Sequence, residues 1–432
     1  MRGSRKYAEN RRKSQDIDIP LSSKQNISKL RTRDPAEIWP LYGTIKVEDF
    51  TLDFTRALLD NLKNDFYPEQ PEGPPDQVNG GIRRCALAAM ASVSLLTKVT
   101  TIEETQPRLL VGTATLIVES LGLIVQWADM ALAIEAPLSD LPAPGDISRC
   151  CLEIAGLFYA LRAMHRSIHD AMMSSTGFIR LLIDIWTKPA NQNGHDEYCL
   201  LWHLPARCPA VRLLREVAAS PEGKRLFLEG LVFHDLEETF AAATIRRVAQ
   251  VEEEVAKADC AEGYEIYMAD YFIPIIQDLG LSSDNRVAPY FRKLKYITRL
   301  TKASNQISVS LVKDGKMPRQ KAAKVAVILA RLIQIALLED PYMMRSFGYL
   351  VEGAYLEMLA RTIVRGYAGD PADDDVAHAL QALDFIALWT VYPAMGKRLV
   401  RSRFALHPGH GYHGVSASDW RDLEGVLAGR LG

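Results

Sequence analysis

A set of basic side chains recurs at helical spacing in the middle of the chain: Arg292, Lys295, Arg299 and Lys302. Steps of three, four and three residues place these side chains on one face of a helix, which we call the basic ridge. The ridge could bind an acidic peptide or nucleic-acid phosphates, and Tyr290 and Tyr296 could stack on such a partner. We therefore predict that the four bases of the ridge and Tyr296 contact a partner.

The ridge belongs to a chain whose charge is strongly polarised along its middle. Residues 229–284, the acidic block, contain thirteen acidic and three basic side chains. Residues 286–331, the basic block, contain one acidic and twelve basic side chains. The two blocks could lie on neighbouring helices and neutralise each other, since exposed charges usually pair or stay solvated. Alternatively, the basic block lines an open groove that attracts an acidic partner.

Histidine and cysteine side chains also occur at spacings that could hold a metal ion. His165 and His169 lie four residues apart, which on one helix would place both imidazoles on the same face. Arg166 stands beside the first histidine and would repel a cation, and the metalloprotease pattern HExxH is not formed. Further candidate ligands are Cys199, His203, Cys208, His407, His410 and His413. These groups lack four ligands at the regular spacing of a structural zinc site, so we predict no metal or other cofactor.

Three consecutive aspartates, Asp373 to Asp375, suggest an alternative function as an all-helical enzyme. Paired carboxylates can hold the magnesium that bridges a diphosphate, but the next three residues here are not acidic. Acidic residues in a first helical turn also complement the helix dipole without any catalytic role. The sequence contains no P-loop, GxSxG, dinucleotide or kinase motif. We expect no catalysis, and an all-helical metal-dependent lyase or transferase is the alternative.

The elements that must position these residues are helices. Apolar side chains recur at steps of three and four from residue 47 onward, and no segment of strand length alternates convincingly between apolar and polar residues. The expected helices include 82–99, 105–119, 122–136, 146–165, 167–174, 176–187, 208–219, 221–229, 231–257, 262–279, 284–303, 318–339 and 341–349. The sequence therefore predicts an all-α fold.

Signals for helix starts and a long period indicate repeated helix pairs. A residue that can cap a helix precedes a proline at four places: Asp34, Ser220, Asp340 and Asp370. Gly230 and Gly353 stand 123 residues apart, close to three repeats of about 40 residues. Apolar residues follow both glycines at the same offsets, beginning with Phe233 and Leu356, which would pack the same helix face in both copies. We predict an armadillo- or HEAT-like stack, an α-solenoid, and the alternative is an irregular all-helical globule.

Composition and charge exclude several classes of protein. The 432 residues carry 51 basic and 53 acidic side chains and are 48% hydrophobic, as in globular chains and unlike disordered or collagen-like ones. The six cysteines form no CxxC pair and no apolar run follows the N-terminal charges, so we expect an intracellular protein, cytoplasmic or nuclear. Segment 109–134 is apolar but contains Glu119 and Asp129, which are costly in hydrocarbon. We expect a buried helix or helix pair kinked near Gly122 and no membrane span.

We expect four segments along the chain. Residues 1–33 carry a net charge of +7 with few apolar side chains and are predicted to be a disordered basic arm, which could serve as a nuclear signal. Residues 34–80 are predicted to hold a leading helix and a linker rich in proline and glycine. The helical-repeat domain is expected over 81–404, followed by a C-terminal loop and short helix over 405–432.

Three stretches resemble a large group of armadillo-like helical proteins from mushroom-forming fungi: TGFIRLLIDIW at 176–186, the apolar segment 109–134, and WRDLEGVLAGRL at 420–431. Members of that group often carry a C-terminal MYND zinc finger. No cysteine follows Cys260, so the paired cysteines of such a finger have no counterpart in this sequence. The resemblance implies a helical-repeat interaction module without established chemistry. We therefore expect a non-catalytic scaffold for an unidentified protein partner of acidic character, and nucleic-acid binding through residues 286–331 is a second alternative.

Overall fold

The computed structural model describes residues 21–46, 49–63, 80–100, 107–133, 147–188, 208–257, 263–281, 286–312, 317–336 and 342–362. Within these ranges the chain is helical and contains no β-strand, which confirms the predicted all-α fold. The chain divides into two units, residues 1–181 and 182–432. This division falls inside the repeat domain predicted for 81–404.

The described helices up to the division are α1 (Leu21–Arg31), α2 (Pro35–Ile38), α3 (Leu41–Thr44), α4 (Leu52–Asp60), α5 (Gly80–Val99), α6 (Pro107–Glu119), α7 (Leu121–Ala133), α8 (Ile147–Met164), α9 (Arg166–Met173) and α10 (Thr176–Thr187), which crosses it. The helices that follow are α11 (Pro209–Ala219), α12 (Pro221–Phe233), α13 (Glu237–Lys257), α14 (Tyr264–Ile266), α15 (Ile273–Ile275), α16 (Ala288–Lys293), α17 (Tyr296–Ser310), α18 (Arg319–Gln334), α19 (Met343–Glu352) and α20 (Tyr355–Arg361). Two π-helical segments, Tyr267–Phe272 and Ile276–Gly280, continue α14 and α15.

Helix α1 lies inside the segment 1–33 that is predicted to be disordered, and it packs against α4. Ile27 and Leu30, three residues apart, are buried. Ser23 Oγ donates a hydrogen bond to the carbonyl oxygen of Asp49 at 2.8 Å. The prediction of disorder is therefore wrong for this helix, because two apolar side chains at helical spacing and one polar contact hold it against its neighbour. Residues 1–20 lie outside the described residues.

Both predicted helix caps that fall in the described ranges are confirmed. Asp34 Oδ1 accepts a hydrogen bond from the backbone N–H of Ala36 at 3.1 Å. Ser220 Oγ accepts one from the backbone N–H of Gly223 at 3.2 Å. The proline after each cap has no N–H that would need an acceptor at the start of the helix. Two predicted caps lie outside the described residues: Asp340 and Asp370.

A Ser220→Ala variant is expected to lower the free energy of unfolding by about 1 kcal/mol. The reason is that the N–H of Gly223 loses its acceptor in the first turn of α12. Ser220→Asp keeps an acceptor oxygen at the cap and should stay close to the wild-type stability. Urea denaturation followed by circular dichroism measures the difference, and an alanine variant as stable as the aspartate variant would contradict the assigned cap.

The apolar segment 109–134 forms two helices, α6 and α7, whose axes are bent by 64° at the break between them. The break lies at Ser120, two residues before the kink predicted near Gly122. Trp127 of α7 is buried, and its Nε1 donates a hydrogen bond to the carbonyl oxygen of Leu62 at 3.0 Å. Among the described helices none is by itself long and apolar enough to cross a membrane, and this bent pair together meets the requirement in length and composition.

Aromatic rings in the core of the second unit hold the helices that carry the basic block. The ring centroid of Phe240 on α13 lies 5.3 Å from that of Phe227 and 6.4 Å from that of Trp186. It also lies 6.1 Å from that of Phe291 on α16, and Phe291 in turn lies 6.1 Å from Tyr296 at the start of α17. All five side chains are buried. This row of rings anchors α16 and α17 against α13.

The two glycines of the predicted repeat occupy different places in their helix pairs. Gly230 lies inside α12, three residues before its end, whereas Gly353 follows the last residue of α19. Phe233 therefore ends the first helix of its pair and is 81% exposed. Leu356 belongs to the second helix of its pair, α20, and is partly buried. The prediction that one helix face packs in both copies is wrong at these positions, because the helices end at different distances from each glycine.

Candidate functional site

The acidic and basic blocks meet in the second unit, and their charges cancel in part. Lys293 Nζ lies 2.7 Å from Glu238 Oε1, and Lys324 Nζ lies 2.9 Å from Asp270 Oδ2. The hydrogen bond to Glu238 raises the pKa of Lys293 above its ordinary value. Helix α13, which carries several acids of the acidic block, packs against α17 of the basic block. Two bases of the basic block are thus neutralised by the acidic block, as the first interpretation predicts.

Three bases of the basic ridge are exposed to solvent and take no part in these two ion pairs. Lys295, Arg299 and Lys302 are exposed. No carboxylate in the described ranges lies within ion-pair distance of Arg299 or Lys302, and Lys295 Nζ has Glu352 Oε1 at 3.8 Å. The acidic block therefore leaves this part of the basic block accessible.

The predicted helix 284–303 would carry the whole basic ridge on one helix. In the structure the ridge is divided between two helices. Leu294 and Lys295 separate α16 from α17, and Lys295 has a φ of 50°, in the left-handed region. Arg292 consequently lies on a different helix from Arg299. The prediction of a continuous ridge is wrong at this point.

The burial of two aromatic rings explains the break. Phe291 and Tyr296 are five residues apart, which is about 140° around a continuous helix of 3.6 residues per turn. Both rings are nevertheless buried and meet edge to face. A Cβ at Gly280 would lie 2.7 Å from the ring of Phe291, so this glycine leaves the space that the ring fills. Burying both rings requires the turn between the helices, at the cost of a left-handed backbone at Lys295.

Tyr296 therefore does not contact a partner, contrary to the prediction. Its side chain is 1% exposed and packs against Phe291 in the core. Tyr290, the other predicted stacking residue, is partly exposed. The nucleic-acid alternative thus loses one of the two aromatic side chains that supported it.

A cleft of about 470 Å³ opens beside the break between α16 and α17. Its lining comes from α16, the break, α19 and the residue that precedes α19: Pro289, Arg292, Lys293, Lys295, Tyr342, Arg345, Ser346 and Tyr349. Four of these eight side chains are cations and none is an acid. The volume falls in the range of small-molecule and side-chain pockets, about 300–1,000 Å³. We call this feature the basic cleft.

Two cations of the basic cleft converge on one tyrosine. Arg345 Nε donates a hydrogen bond to Tyr349 Oη at 2.6 Å, and its guanidinium carbon lies 5.5 Å from the tyrosine ring centroid. Lys295 Nζ lies 5.7 Å from the same centroid. Thr298 Oγ1 donates a hydrogen bond to the carbonyl oxygen of Tyr349 at 3.3 Å, which ties α17 to α19. Tyr349 therefore holds two positive charges beside its ring.

Arg292 adds a further contact between a cation and an aromatic ring. Its guanidinium carbon lies 5.8 Å from the ring centroid of Tyr342, a side chain that is 59% exposed. Arg292 and Lys295 of the predicted ridge thus line the cleft, whereas Arg299 and Lys302 are not among its lining residues.

Comparison with models of protein families, with curated proteins and with solved structures finds no match to this chain. The functional conclusion therefore depends on the geometry and charge of the second unit.

Sequence reasoning missed the part of the cleft that α19 and the residue before it supply: Tyr342, Arg345, Ser346 and Tyr349. These side chains follow one another at steps of three, one and three residues, which places them on one helix face. The predicted helix 341–349 contains this stripe, so the signal for a shared polar face is present in the sequence. What the sequence does not indicate is that this face lies beside α16 and its two bases.

The side chains that were weighed as metal ligands have other contacts where the structure describes them. His165 Nδ1 accepts a hydrogen bond from the backbone N–H of Ser167 at 3.2 Å and caps α9. His169 Nδ1 lies 3.1 Å from Asp170 Oδ1, and burial raises the pKa of the Cys208 thiol. The described ranges hold no group of three or more His, Cys, Asp or Glu side chains suited to a metal ion. The remaining candidates lie outside these ranges: Cys199, His203, Asp373 to Asp375, His407, His410 and His413.

Proposed function

We propose that the chain is a non-catalytic interaction module whose second unit binds an acidic protein partner through a basic surface. The surface consists of the basic cleft together with Arg299 and Lys302. The observation that supports this proposal best is the exposure of these two bases without a carboxylate partner in the described ranges. They stay open to solvent although the acid-rich helix α13 packs against the same helix, α17.

The helix pairs of the second unit are compatible with such a module. Helix α11 packs on α12, α13 on α17, and α17 on both α19 and α20. We infer that these pairs are armadillo- or HEAT-like and form an α-solenoid, an architecture that offers an extended surface to a partner. We also propose that the chain is related to the armadillo-like proteins of mushroom-forming fungi and that it is located in the cytoplasm or the nucleus.

Reversing two charges is expected to weaken binding of an acidic probe about tenfold or more at low salt. The variant is Arg299→Glu with Lys302→Glu, and the probe is a fluorescently labelled peptide of glutamate residues. Both side chains are exposed and unpaired within the described ranges, so the variant should keep the wild-type helical circular dichroism and melting temperature. Fluorescence anisotropy at several salt concentrations measures the affinity.

The matched control is Lys24→Glu with Lys29→Glu, which changes the net charge equally in exposed positions of α1. This control should bind the peptide as the wild type does. Equal weakening by both double variants would show that net charge, and not the basic surface, attracts the probe. Failure of the wild-type chain to bind the peptide at low salt would overturn the proposed function.

A further inference from the structure

The donors of the basic cleft suit an anion with several oxygen atoms. Arg292 and Arg345 supply guanidinium groups, whose planar N–H forks match phosphate and carboxylate oxygens. Lys293 and Lys295 add two ammonium groups. Hydroxyl groups complete the polar lining: Tyr342, Ser346 and Tyr349. The cleft thus combines more hydrogen-bond donors than one carboxylate can use.

Arg345 is the member of this set that is already positioned. Its Nε donates to Tyr349 Oη, which occupies one of the five N–H donors of a guanidinium group. Its side chain is exposed, and the described ranges contain no carboxylate within ion-pair distance of it. An incoming anion would therefore meet the terminal amino groups of Arg345 without first displacing a salt bridge.

The backbone adds to the attraction for an anion. Arg345 and Ser346 belong to the first turn of α19, a helix of ten residues that begins at Met343. The start of a helix carries a partial positive charge, equivalent to roughly half an elementary charge. This charge lies on the same helix turn as two side chains of the cleft, so side chains and backbone favour the same ligand.

The charge of the lining selects among anions. A carboxylate carries one negative charge, whereas a phosphate monoester carries about −1.5 to −2 at pH 7 and three terminal oxygens. Two of the four cations in the lining, Lys293 and Lys295, already contact Glu238 and Glu352 outside it, whereas Arg345 has no carboxylate within ion-pair distance in the described ranges. The volume of about 470 Å³ also exceeds what a phosphate group needs, which leaves room for the side chain that carries it.

We propose that the basic cleft binds a phosphate monoester on a phosphorylated side chain of the acidic partner. This inference rests on the proposed function, because Arg299 and Lys302 outside the cleft would hold the acidic residues around the phosphate. Phosphorylation of the partner would then strengthen binding, and Arg345 would be the side chain on which the preference depends most.

Anisotropy titration of the full chain with four labelled peptides tests the proposal. The peptides are Glu-Asp-Ser-Asp-Glu and Glu-Asp-Tyr-Asp-Glu, each with and without a phosphate on the central residue. We expect at least one phosphorylated form to bind about tenfold tighter than its unmodified form, the value of an added charge-assisted hydrogen bond. Inorganic phosphate should displace the phosphorylated peptide at a lower concentration than sodium chloride of equal ionic strength, whereas the two salts should act alike on the unmodified peptide.

Two variants locate the preference. Arg345→Gln should bring the phosphorylated and unmodified forms of a peptide to equal affinity, because the guanidinium group that favours the phosphate is lost. Lys302→Gln, on the ridge outside the cleft, should weaken both forms of a peptide by the same factor. Both side chains are exposed, so circular dichroism and melting should match the wild type.

The outcomes separate this inference from the proposed function. Equal affinity for phosphorylated and unmodified peptides would overturn the phosphate site but not the proposed binding of an acidic partner. No binding of any peptide would overturn the phosphate site and the proposed function together. A preference that survives Arg345→Gln would place the phosphate elsewhere and overturn the site. Binding to vesicles of phosphatidylcholine with a phosphoinositide that requires Arg345, in the absence of a peptide preference, would assign the cleft to a membrane instead.

Discussion

An Arg247→Ala variant is expected to lower the free energy of unfolding of the second unit by about 3–5 kcal/mol. Arg247 lies in α13 and is fully buried. Its Nη2 donates a hydrogen bond to the carbonyl oxygen of Trp186 at 2.7 Å, and its Nη1 donates one to that of Ala243 at 3.2 Å. Its guanidinium carbon lies 4.1 Å from the Trp186 ring centroid. Alanine would leave a cavity beside the indole and a buried carbonyl oxygen without this donor.

Urea denaturation followed by tryptophan fluorescence measures the loss, because Trp186 lies in contact with the changed side chain. Arg246→Ala is the matched control. That neighbouring arginine pairs with Glu253 at 2.9 Å near the surface, so its loss should cost no more than about 1 kcal/mol. Arg247→Lys keeps the charge without the planar fork and is expected to fall between the two. Equal losses in both alanine variants would contradict the role assigned to Arg247.

A Gly353→Ala variant is expected to be less stable than the wild type by about 1–3 kcal/mol. A Cβ at this position would lie 2.5 Å from Cβ of Thr301 and 3.2 Å from the carbonyl oxygen of Thr298, both on α17. Neither atom is the end of a flexible side chain, so α19 and α17 would have to move apart to relieve the contact. Thermal denaturation followed by circular dichroism measures the loss.

The same substitution at Gly156 should act in the opposite direction. Gly156 lies in the interior of α8, and a Cβ there would meet no atom within 4 Å. Alanine in a helix interior is favoured over glycine by about 0.5–1 kcal/mol, so Gly156→Ala should raise the stability. A loss of similar size in both variants would show that the close approach of α17 does not explain the effect at Gly353.

Helix positions could be predicted from the sequence where the signals are local. The predicted helix 176–187 coincides with α10, and the cap at Ser220 begins α12 as expected. Both signals involve residues within one or two turns of each other, namely the apolar period and a side-chain oxygen placed before a proline. The same local criteria predict disorder where α1 forms, because the stability of this helix depends on contacts with α4.

Four bases of the candidate surface were within reach of the sequence. Arg292 and Lys295 line the basic cleft, and Arg299 and Lys302 are predicted correctly as surface bases. Tyr296, which is predicted to contact a partner, lies instead in the core. The break at the preceding residue turns that side chain into the core, and no proline or glycine marks the break in the sequence.

The sequence by itself determined that the described chain is helical, where many of its helices begin, and that an acidic block precedes a basic one. These properties depend on residue type and on neighbours a few positions away. The tertiary structure decided which bases are neutralised and which line a cleft, through contacts such as Lys293 with Glu238 and Thr298 with Tyr349. The partners in these contacts are more than fifty residues apart, so their meeting depends on how the helices pack and not on the pattern within any one helix.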